Sequence, residues 1–323
     1  MIIYQSKIKP IISVVICTFN RAELIKKAIE GVVNQTIAKD DYEIIVVDNN
    51  SQDGTLEILT KYQSNISKPK MVILTEVKQG LGFARNTGVI NSQGAYVAFL
   101  DDDAVADHKW LELALQLFKN VKPTPLVLGG PILPFYNSAK PSWFQDNYEA
   151  RTWGDQARFL NFPESFSGSN MIFNKEIIEK CGKFDSKVGM TKDNLSLGEE
   201  TALFEKIWAS SGEVSRMFYS PHLRVFHLVD QYKMTVSYQL KRSFAEGQSW
   251  YVRKKPKSFL KKLRIIIVIL KSIITHGGRA FSGLARYHNS QNWLVEKVAP
   301  LMGNIGILAA CCGIYISIKQ RET

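Results

Sequence analysis

Strand and helix patterns alternate along the first hundred residues, and this alternation limits the fold more than any other feature. Short runs rich in isoleucine and valine predict strands, and runs with apolar residues on one helical face predict helices. The strands are predicted at residues 11–17, 42–47, 71–75 and 95–100, and the helices at residues 22–35, 53–62 and 82–91. A strand–helix order repeated in this way favours a doubly wound, mostly parallel α/β sheet with flanking helices.

Polar loops follow the first two predicted strands, at residues 18–21 and 48–55. Each loop leads into the start of a helix, where free backbone N–H groups favour anions. A third segment, residues 80–86, adds the cation of Arg85 near the same edge of the sheet. Neither of the first two loops has the glycine spacing of a dinucleotide fingerprint or a P-loop, so NAD-dependent and ATP-hydrolysing functions are disfavoured.

Three consecutive carboxylates, Asp101, Asp102 and Asp103, follow the fourth predicted strand directly. Carboxylates at the end of a buried strand are costly unless a partner binds them, and this edge of an open α/β sheet is where ligands bind. Mg²⁺ or Mn²⁺ carrying substrate phosphates is the natural partner, because both ions prefer carboxylate oxygen. A solvated acidic loop, or a cap for a helix that starts near Asp107, is the structural alternative.

Charge is distributed unequally along the 323 residues. The net charge is +11, yet residues 1–225 carry 25 basic and 26 acidic side chains, whereas residues 226–323 carry 16 and 4. Such asymmetry predicts a polyanionic surface as the partner of the last hundred residues. We therefore expect a globular α/β domain over residues 1–230 and a basic, apolar helical tail over residues 231–323.

The tail combines basic and apolar runs in a way that suits a membrane surface. Lysine-rich residues 254–257 and 261–264 flank the apolar run 265–270, which is too short to span a bilayer. Residues 301–318 are uncharged and lie at the length threshold for a spanning helix. We expect a helical hairpin that dips into an anionic membrane surface. A soluble helical appendage is the alternative, and the apolar content argues against nucleic acid as the partner.

The four cysteines predict a reducing compartment. Cys17, Cys181, Cys311 and Cys312 show neither CxxC spacing nor a disulfide framework. The first ten residues contain no apolar run long enough for a signal peptide. We therefore expect the catalytic machinery to lie in the cytoplasm, on the cytoplasmic face of the membrane that the tail contacts.

Four segments together resemble the family-2 glycosyltransferases, which have the GT-A fold. Residues 13–21 are similar to the family's opening strand and loop, residues 44–55 to its second, residues 80–88 to its third, and residues 99–103 to its metal-binding DxD segment. The resemblance extends over about residues 11–230. It implies a nucleotide-sugar half and an acceptor half that meet near residue 105.

The resemblance assigns the sugar-nucleotide donor to the edge of the sheet. Thr18 and Arg21 would line the nucleotide pocket, and Asp48 would accept a hydrogen bond from the ring N–H of a pyrimidine. Asp102 would lie close to the ribose and the sugar. The donor-binding residues that the resemblance implies are Thr18, Asn20, Arg21, Asp48, Asn50, Asp53, Arg85 and Asp102.

The same resemblance implies a divalent cation, Mn²⁺ or Mg²⁺. Asp103 would be a direct ligand and Asp101 would support it. His227 follows Pro221 near the end of a predicted strand, where several family members have a histidine that completes the metal shell. A structural role is the alternative for this histidine.

The acceptor side falls on two later segments. Gly168, Ser169 and Asn170 resemble the segment beside the donor sugar, although a glycine-containing entry to a strand is the alternative. Glu199 and Glu200 stand where the family usually has Glu-Asp, the second carboxylate being the general base. The base role therefore passes to Glu200, with Glu199 as alternative or helper, and two acids at a helix N-terminus are the structural alternative.

The resemblance therefore implies a metal-dependent, inverting glycosyltransferase of polysaccharide or cell-surface glycan synthesis. It would move a sugar from a nucleoside diphosphate donor, with a UDP-sugar favoured, to a hydroxyl of a glycan or lipid-linked glycan acceptor. A polyprenyl-phosphate glycosyltransferase, whose anionic acceptor needs no base, is one alternative. A catalytically silent scaffold that binds a sugar nucleotide at the membrane is another. The aromatic residues Trp143, Phe144 and Trp153 would stack on sugars or belong to the core.

Overall fold

The computed structural model describes residues 9–186, 199–210, 216–254, 256, 258–283, 287 and 289–316. These residues form two compact units. The first contains residues 9–135, 149–186, 199–210 and 216–228, and the second contains residues 136–148 and the described residues between 229 and 316. Residues 136–148 thus belong to the same unit as the tail, although they lie within the first 230 residues of the chain.

The predicted alternation forms one half of a central sheet. Its elements are β1 (Ile12–Thr18), α1 (Ile25–Val33), β2 (Tyr42–Asp48), α2 (Thr55–Asn65), β3 (Lys70–Thr75), α3 (Leu81–Asn91) and β4 (Tyr96–Asp101). Strand β1 pairs in parallel with β2 and β4, and β2 pairs in parallel with β3. The predicted elements and the doubly wound sheet are confirmed. Helix α1 is shorter than the predicted 22–35, because residues 22–24 form a turn in which Asp53 accepts the backbone N–H of Ala22 at 3.3 Å.

The other half of the sheet introduces antiparallel strands. Its elements are β5 (Ala104–Ala106), α4 (Trp110–Asn120), β6 (Val127–Gly129), β7 (Ile132–Phe135), β8 (Arg158–Phe159), β9 (Met171–Asn174), α5 (Lys175–Lys180), α6 (Glu199–Ser210), β10 (Met217–Tyr219) and β11 (Val225–Leu228). The strand order in the large sheet is β3-β2-β1-β4-β9-β6-β10-β8, with β9 antiparallel to both of its neighbours. A second sheet has the order β5-β11-β7.

Alternation along the strands places apolar side chains on both faces of the large sheet. On β1, Val14 and Ile16 belong to the same apolar cluster as residues of α1 and α4, whereas Val15 belongs to the cluster that contains residues of α3 and α6. All three side chains are at most 1% exposed. A parallel strand that is covered on both faces needs apolar side chains at successive positions. The sequence of β1 is therefore a nearly continuous apolar run.

Helices make up most of the second unit. These are α7 (Val236–Lys254), α8 (Phe259–Gly283) and a continuous helical run made of α9 (Ser290–Trp293), a π-helical segment (Leu294–Val298) and α10 (Ala299–Cys311). Helices α7 and α10 pack closely at glycines, since a Cβ on Gly247 would lie under 3.0 Å from the carbonyl oxygen of Gly303. Trp143 and Phe144 pack in an apolar cluster of this unit, as core residues do.

The apolar run at residues 301–318 does not form the predicted hairpin in its described part. Helix α10 ends at Cys311, and Gly313, with φ of 77°, closes a C-terminal turn in which Ile314 donates its N–H to the carbonyl of Ala309 at 2.8 Å. Ser317 and Ile318 lie outside the described residues. Among the described residues, one helical segment is long and apolar enough to cross a membrane, the 22 residues Ser290–Cys311.

Candidate active site

The candidate site lies at the C-terminal edge of the three central parallel strands. The register of the large sheet puts Thr18 opposite Asp48 and Cys17 opposite Asp101. Because parallel strands end at the same edge, residues that are far apart in sequence arrive together. This edge therefore gathers the polar loops that the sequence analysis singled out.

A buried hydrogen bond links the first loop to the aspartate triad. The Thr18 hydroxyl donates to Asp102 Oδ2 at 2.7 Å, and both side chains are largely buried. Burial, together with the charge of neighbouring Asp103, raises the pKa of Asp102 to about 7. Thr18 therefore fixes the orientation of the middle carboxylate of the triad.

The loops after β1 and β2 hold each other through side-chain contacts. Asn20 donates its backbone N–H to the Ser51 hydroxyl at 2.9 Å, and its side-chain oxygen accepts the N–H of Gln52 at 2.7 Å. Asn20 and Asn50 both have positive φ, 52° and 64°, a conformation that asparagine tolerates better than most residues. Asp48 is 2% exposed, and the N–H of Ser51 lies 3.3 Å from each of its carboxylate oxygens.

Asp53 and Arg21 contribute to the same loop pair. Asp53 accepts the backbone N–H groups of Thr55 and Ala22, at 3.0 and 3.3 Å, and also the Thr55 hydroxyl. Burial acts to raise the pKa of Asp53, but these hydrogen bonds outweigh it and lower the pKa. The backbone N–H of Arg21 is donated to Thr55 Oγ1 at 3.0 Å. Asp53 thus orders the start of α2 as an N-terminal cap does.

Two carboxylates and one imidazole form a group that could hold a metal ion. One potential ligand atom from each of Asp101, Asp103 and His227 lies within 4.8 Å of the others. The second sheet brings His227 to the triad, because β11 pairs antiparallel with β5 and Leu228 donates its N–H to the carbonyl of Asp103 at 2.9 Å. His227 Nε2 lies 3.1 Å from Asp103 Oδ1. Carboxylate and imidazole donors suit Mn²⁺, and carboxylates also suit Mg²⁺, so the donor set fits the expected cation.

Arg85 is the buried cation of the site. Its Nη1 lies 3.0 Å from Glu200 Oε1 and 3.1 Å from Glu199 Oε1, and its Nη2 lies 3.6 Å from Asp101 Oδ1. The guanidinium carbon sits 5.3 Å from the centre of the Phe184 ring. Burial opposes the positive charge, but Glu200, Glu199 and Asp101 outweigh it and raise the pKa of Arg85. Its guanidinium therefore faces carboxylates of the site.

The two glutamates lie in the first turn of α6, and their side chains differ in burial. The Glu199 side chain is 2% exposed and the Glu200 side chain is 21% exposed. Acidic residues are favourable at this end of a helix, so the structural alternative of the sequence analysis also describes them. Leu197 and Gly198, which precede them in the motif, lie outside the described residues.

The segment before β9 contributes three residues with different surroundings. Ser169 donates its hydroxyl to Asp101 Oδ2. Asn170 is fully buried. Its side-chain oxygen accepts the indole N–H of Trp110 at 3.0 Å, and its side-chain amide donates to the carbonyl of Leu223 at 2.7 Å, so it joins elements of the fold. Gly168 lies against the side chains of Arg85 and Glu200, where an added Cβ would meet both.

Sequence reasoning missed the roles of several of these contacts. Phe184, under the guanidinium, and Trp110, which bonds Asn170, carried no local signal of a site. The ion pair between Arg85 and Glu199 joins residues 114 positions apart, and no spacing rule reports such a contact. A buried arginine needs acidic partners, but its burial is visible only in the structure.

Comparisons with known proteins identify the family of this chain. The family model described as Glycosyl transferase family 2 matches residues 13–182. The glucosyl-dolichyl phosphate glucuronosyltransferase of Haloferax volcanii is 26% identical over 280 residues, which cover 81% of this chain and 87% of that protein.

Solved structures show the same fold. Mannosyltransferase PcManGT from Pyrobaculum calidifontis, in complex with GDP-Man and Mn²⁺, aligns with a TM-score of 0.62 at 16% identity, over 93% of this chain and 87% of that chain. S. aureus TarS 1-349 in complex with UDP-GlcNAc aligns with a TM-score of 0.54 at 14% identity, over 94% and 92%. These two likenesses establish the GT-A fold. The match to the family model extends over more than half of the chain, which therefore belongs to the family-2 glycosyltransferases.

Proposed function

We propose that this glycosyltransferase is metal-dependent and inverting, and that it moves a sugar from a nucleoside diphosphate donor to a hydroxyl of a glycan or lipid-linked glycan. The observation that supports this most is the cluster around Arg85. It joins Asp101, a member of the candidate metal group, to Glu200, the candidate base. The groups that would hold the donor diphosphate and activate the acceptor are thus parts of one charge cluster.

The donor would lie along the loops after β1 and β2. Asp48, buried at the end of β2, is the proposed acceptor for the ring N–H of a uracil, which favours a UDP-sugar. Thr18, Asn20, Arg21, Asn50 and Asp53 belong to the same loops and would shape the pocket for the nucleoside. The solved structures with GDP-Man and with UDP-GlcNAc indicate that this fold accommodates either nucleotide. Nucleotide choice would therefore depend on local groups such as Asp48.

The cation would be held by Asp101, Asp103 and His227. A bound Mn²⁺ or Mg²⁺ would neutralise the negative charge that develops on the leaving nucleoside diphosphate. Thr18 would keep Asp102 oriented beside this group through its 2.7 Å hydrogen bond, and Ser169 would keep Asp101 oriented from the other side. These contacts favour a preorganised site over one that forms only when donor binds.

Glu200 is the proposed general base. It would accept the proton of the acceptor hydroxyl while the hydroxyl oxygen forms its bond to the anomeric carbon and the bond to the diphosphate oxygen breaks. A single displacement of this kind inverts the anomeric configuration. The 21% exposure of Glu200, against 2% for Glu199, supports Glu200 as the group that can reach an acceptor.

A lipid-linked acceptor is consistent with a relative and with the second unit. The Haloferax volcanii relative is named for glucosyl-dolichyl phosphate, a lipid-linked sugar. Helix α8 exposes a stripe of apolar side chains at intervals of three and four residues. They are Leu260, Leu263, Ile267, Leu270 and Ile274. Residues 259–283 also contain five basic and no acidic residues. An apolar stripe with basic neighbours suits an anionic lipid surface, so we place the enzyme on the cytoplasmic face of a membrane.

A donor and acceptor screen tests the proposed reaction. Full-length protein is incubated with UDP-, GDP- and dTDP-sugars, with Mn²⁺ or Mg²⁺, and with free glycans, polyprenyl phosphate or a sugar-linked polyprenyl phosphate. We expect nucleoside diphosphate release that requires a sugar-bearing acceptor, and a product of inverted anomeric configuration. Transfer to polyprenyl phosphate that does not need Glu200 would support the base-free alternative. Donor binding without turnover on any acceptor would support the silent scaffold.

A further inference from the structure

Arg85 connects three carboxylates that come from distant parts of the chain. It lies on α3 and is 2% exposed, and its partners are Asp101 at the end of β4 and Glu199 and Glu200 at the start of α6. The two ends of the guanidinium are used differently. Nη1 contacts the glutamate pair at 3.1 and 3.0 Å, whereas Nη2 faces Asp101 at 3.6 Å.

We propose that Arg85 is a positioning residue that fixes the Glu200 carboxylate relative to Asp101, and that Glu199 is its buried counter-ion and not a base. This inference rests on the proposed function, because it concerns the groups that would activate the acceptor and hold the metal. It also differs from the donor-binding role that the family resemblance implies for Arg85.

The charges require this arrangement. Two adjacent glutamates whose carboxylates meet one atom repel each other, and a third carboxylate lies on the opposite side. A fully buried guanidinium supplies one positive charge, and its flat fork of donors can contact carboxylates in two directions at once. The Phe184 ring lies 5.3 Å from the guanidinium carbon, within the range of a cation–π contact that helps to hold Arg85 in place. Glu199, at 2% exposure, lies too deep to meet an acceptor and neutralises the cation instead.

Gly168 provides the space for this contact. A Cβ added there would lie under 3.0 Å from both Arg85 Nη2 and Glu200 Oε1, which is closer than real Cβ atoms approach. The positions of both charged groups therefore depend on the missing side chain. This gives a variant that moves Arg85 and Glu200 while every charge of the cluster is kept.

Two variants test the inference, Arg85→Lys and Gly168→Ala, each in the full-length protein with its preferred donor and acceptor. Lysine keeps the positive charge but carries it on a single ammonium group, so it cannot contact the glutamate pair and Asp101 at the same time. We expect kcat to fall by about 10²-fold in both variants, because a misplacement of about 1 Å at a reacting group costs that much. The Kd for the nucleoside diphosphate, measured by calorimetry, is expected to stay within about threefold of wild type, since neither change removes a group that contacts it.

The matched control is Arg158→Lys. Arg158 makes two hydrogen bonds of 2.7 Å to Glu164, so this change also replaces a forked arginine–glutamate pair, but outside the candidate site. We expect its kcat to stay within about twofold of wild type. Glu199→Gln distinguishes the roles of the two glutamates. Because it removes the proposed counter-ion of Arg85, it should lower Tm but reduce kcat less than Glu200→Gln does.

Four results would overturn the inference. These are wild-type kcat in Arg85→Lys, wild-type kcat in Gly168→Ala, a large rise in nucleotide Kd with kcat unchanged at saturation, and a larger loss of kcat in Glu199→Gln than in Glu200→Gln. The third result would make Arg85 a donor ligand. If Arg85→Lys does not fold, Gly168→Ala decides the question. Absence of transfer by the wild-type protein on every acceptor would instead contradict the proposed function itself.

Discussion

The two units of the molecule bury and expose opposite kinds of side chain. In the first unit, Arg85 and Glu199 are charged and almost completely buried, inside a fold whose strands are covered on both faces. In the second unit, Leu260 and Ile274 of α8 are large and apolar, yet 75% and 74% exposed. Buried charge is costly unless it is paired and used, and exposed apolar stripes mark surfaces that meet something else. The function proposed for each unit therefore rests on the side chains whose burial is unusual for a soluble protein.

Removal of the proposed cation should lower the enzyme's activity by the largest factor. We expect Asp103→Ala to lower kcat by about 10³-fold or more, because the charge stabilisation that a divalent cation supplies is worth several kcal/mol. EDTA should do the same to the wild-type protein, and added Mn²⁺ or Mg²⁺ should restore its activity. Asp155→Ala, on an exposed loop, is the control and should leave kcat unchanged. Full activity in EDTA would remove the cation from the mechanism.

Loss of the proposed general base, Glu200, should have the next largest effect. Glu200→Gln keeps the size and hydrogen bonding of the side chain but removes its basicity. General-base catalysis contributes about 10²–10⁴-fold, so we expect kcat to fall by that factor while the Kd for the donor nucleotide is retained. The measurement is steady-state kinetics beside calorimetry. An unchanged kcat with polyprenyl phosphate as the acceptor would favour the base-free reaction.

The same large-to-small substitution should lower the free energy of unfolding much more in the first unit than in the second. Ile16 of β1 is fully buried and Ile274 of α8 is 74% exposed, so the same change, isoleucine to alanine, samples both environments. We expect Ile16→Ala to lower the free energy of unfolding by about 2–5 kcal/mol, through lost burial and a residual cavity. Ile274→Ala should change it by about 0.5 kcal/mol or less. Thermal unfolding of both variants makes the comparison, and equal losses would mean that α8 is covered in the protein in solution.

Sequence reasoning predicted the first half of the sheet and left contacts of the site undetermined, and the reason is physical. Strands β1 to β4 and their helices follow from local periodicity, which each segment carries by itself. The Arg85 cluster depends on how β4, α3 and α6 come together, and a three-dimensional contact of this kind has no periodicity. Within the described part of the run at residues 301–318, Gly313 and its backbone hydrogen bonds end α10 at Cys311, a boundary that the sequence analysis did not predict. Hydropathy alone does not report a C-terminal cap.

The smallest expected effect concerns the exposed apolar stripe on α8 and its proposed binding to lipid vesicles. Full-length protein should float with vesicles that contain anionic lipid, because the stripe offers apolar area beside the basic residues Lys261, Lys262, Arg264 and Lys271. Burying an isoleucine fully is worth about 1.5–3 kcal/mol, and an interfacial helix buries its stripe only in part. We therefore expect Ile274→Asn to weaken the partition coefficient by about fivefold.

The control for this variant and the role of salt complete the test. Ile90→Asn removes a side chain of the same kind, 64% exposed on α3, and should leave flotation unchanged. Raising the salt from 0.1 to 1 M shortens the Debye length from about 10 to about 3 Å and so screens the basic residues, but it does not weaken apolar insertion. Flotation should therefore decrease with salt without vanishing. A full-length protein that stays in the soluble fraction at low salt would contradict membrane attachment. The second unit's exposed stripe would then need a different partner, and a lipid-linked acceptor would lose one of its two supports.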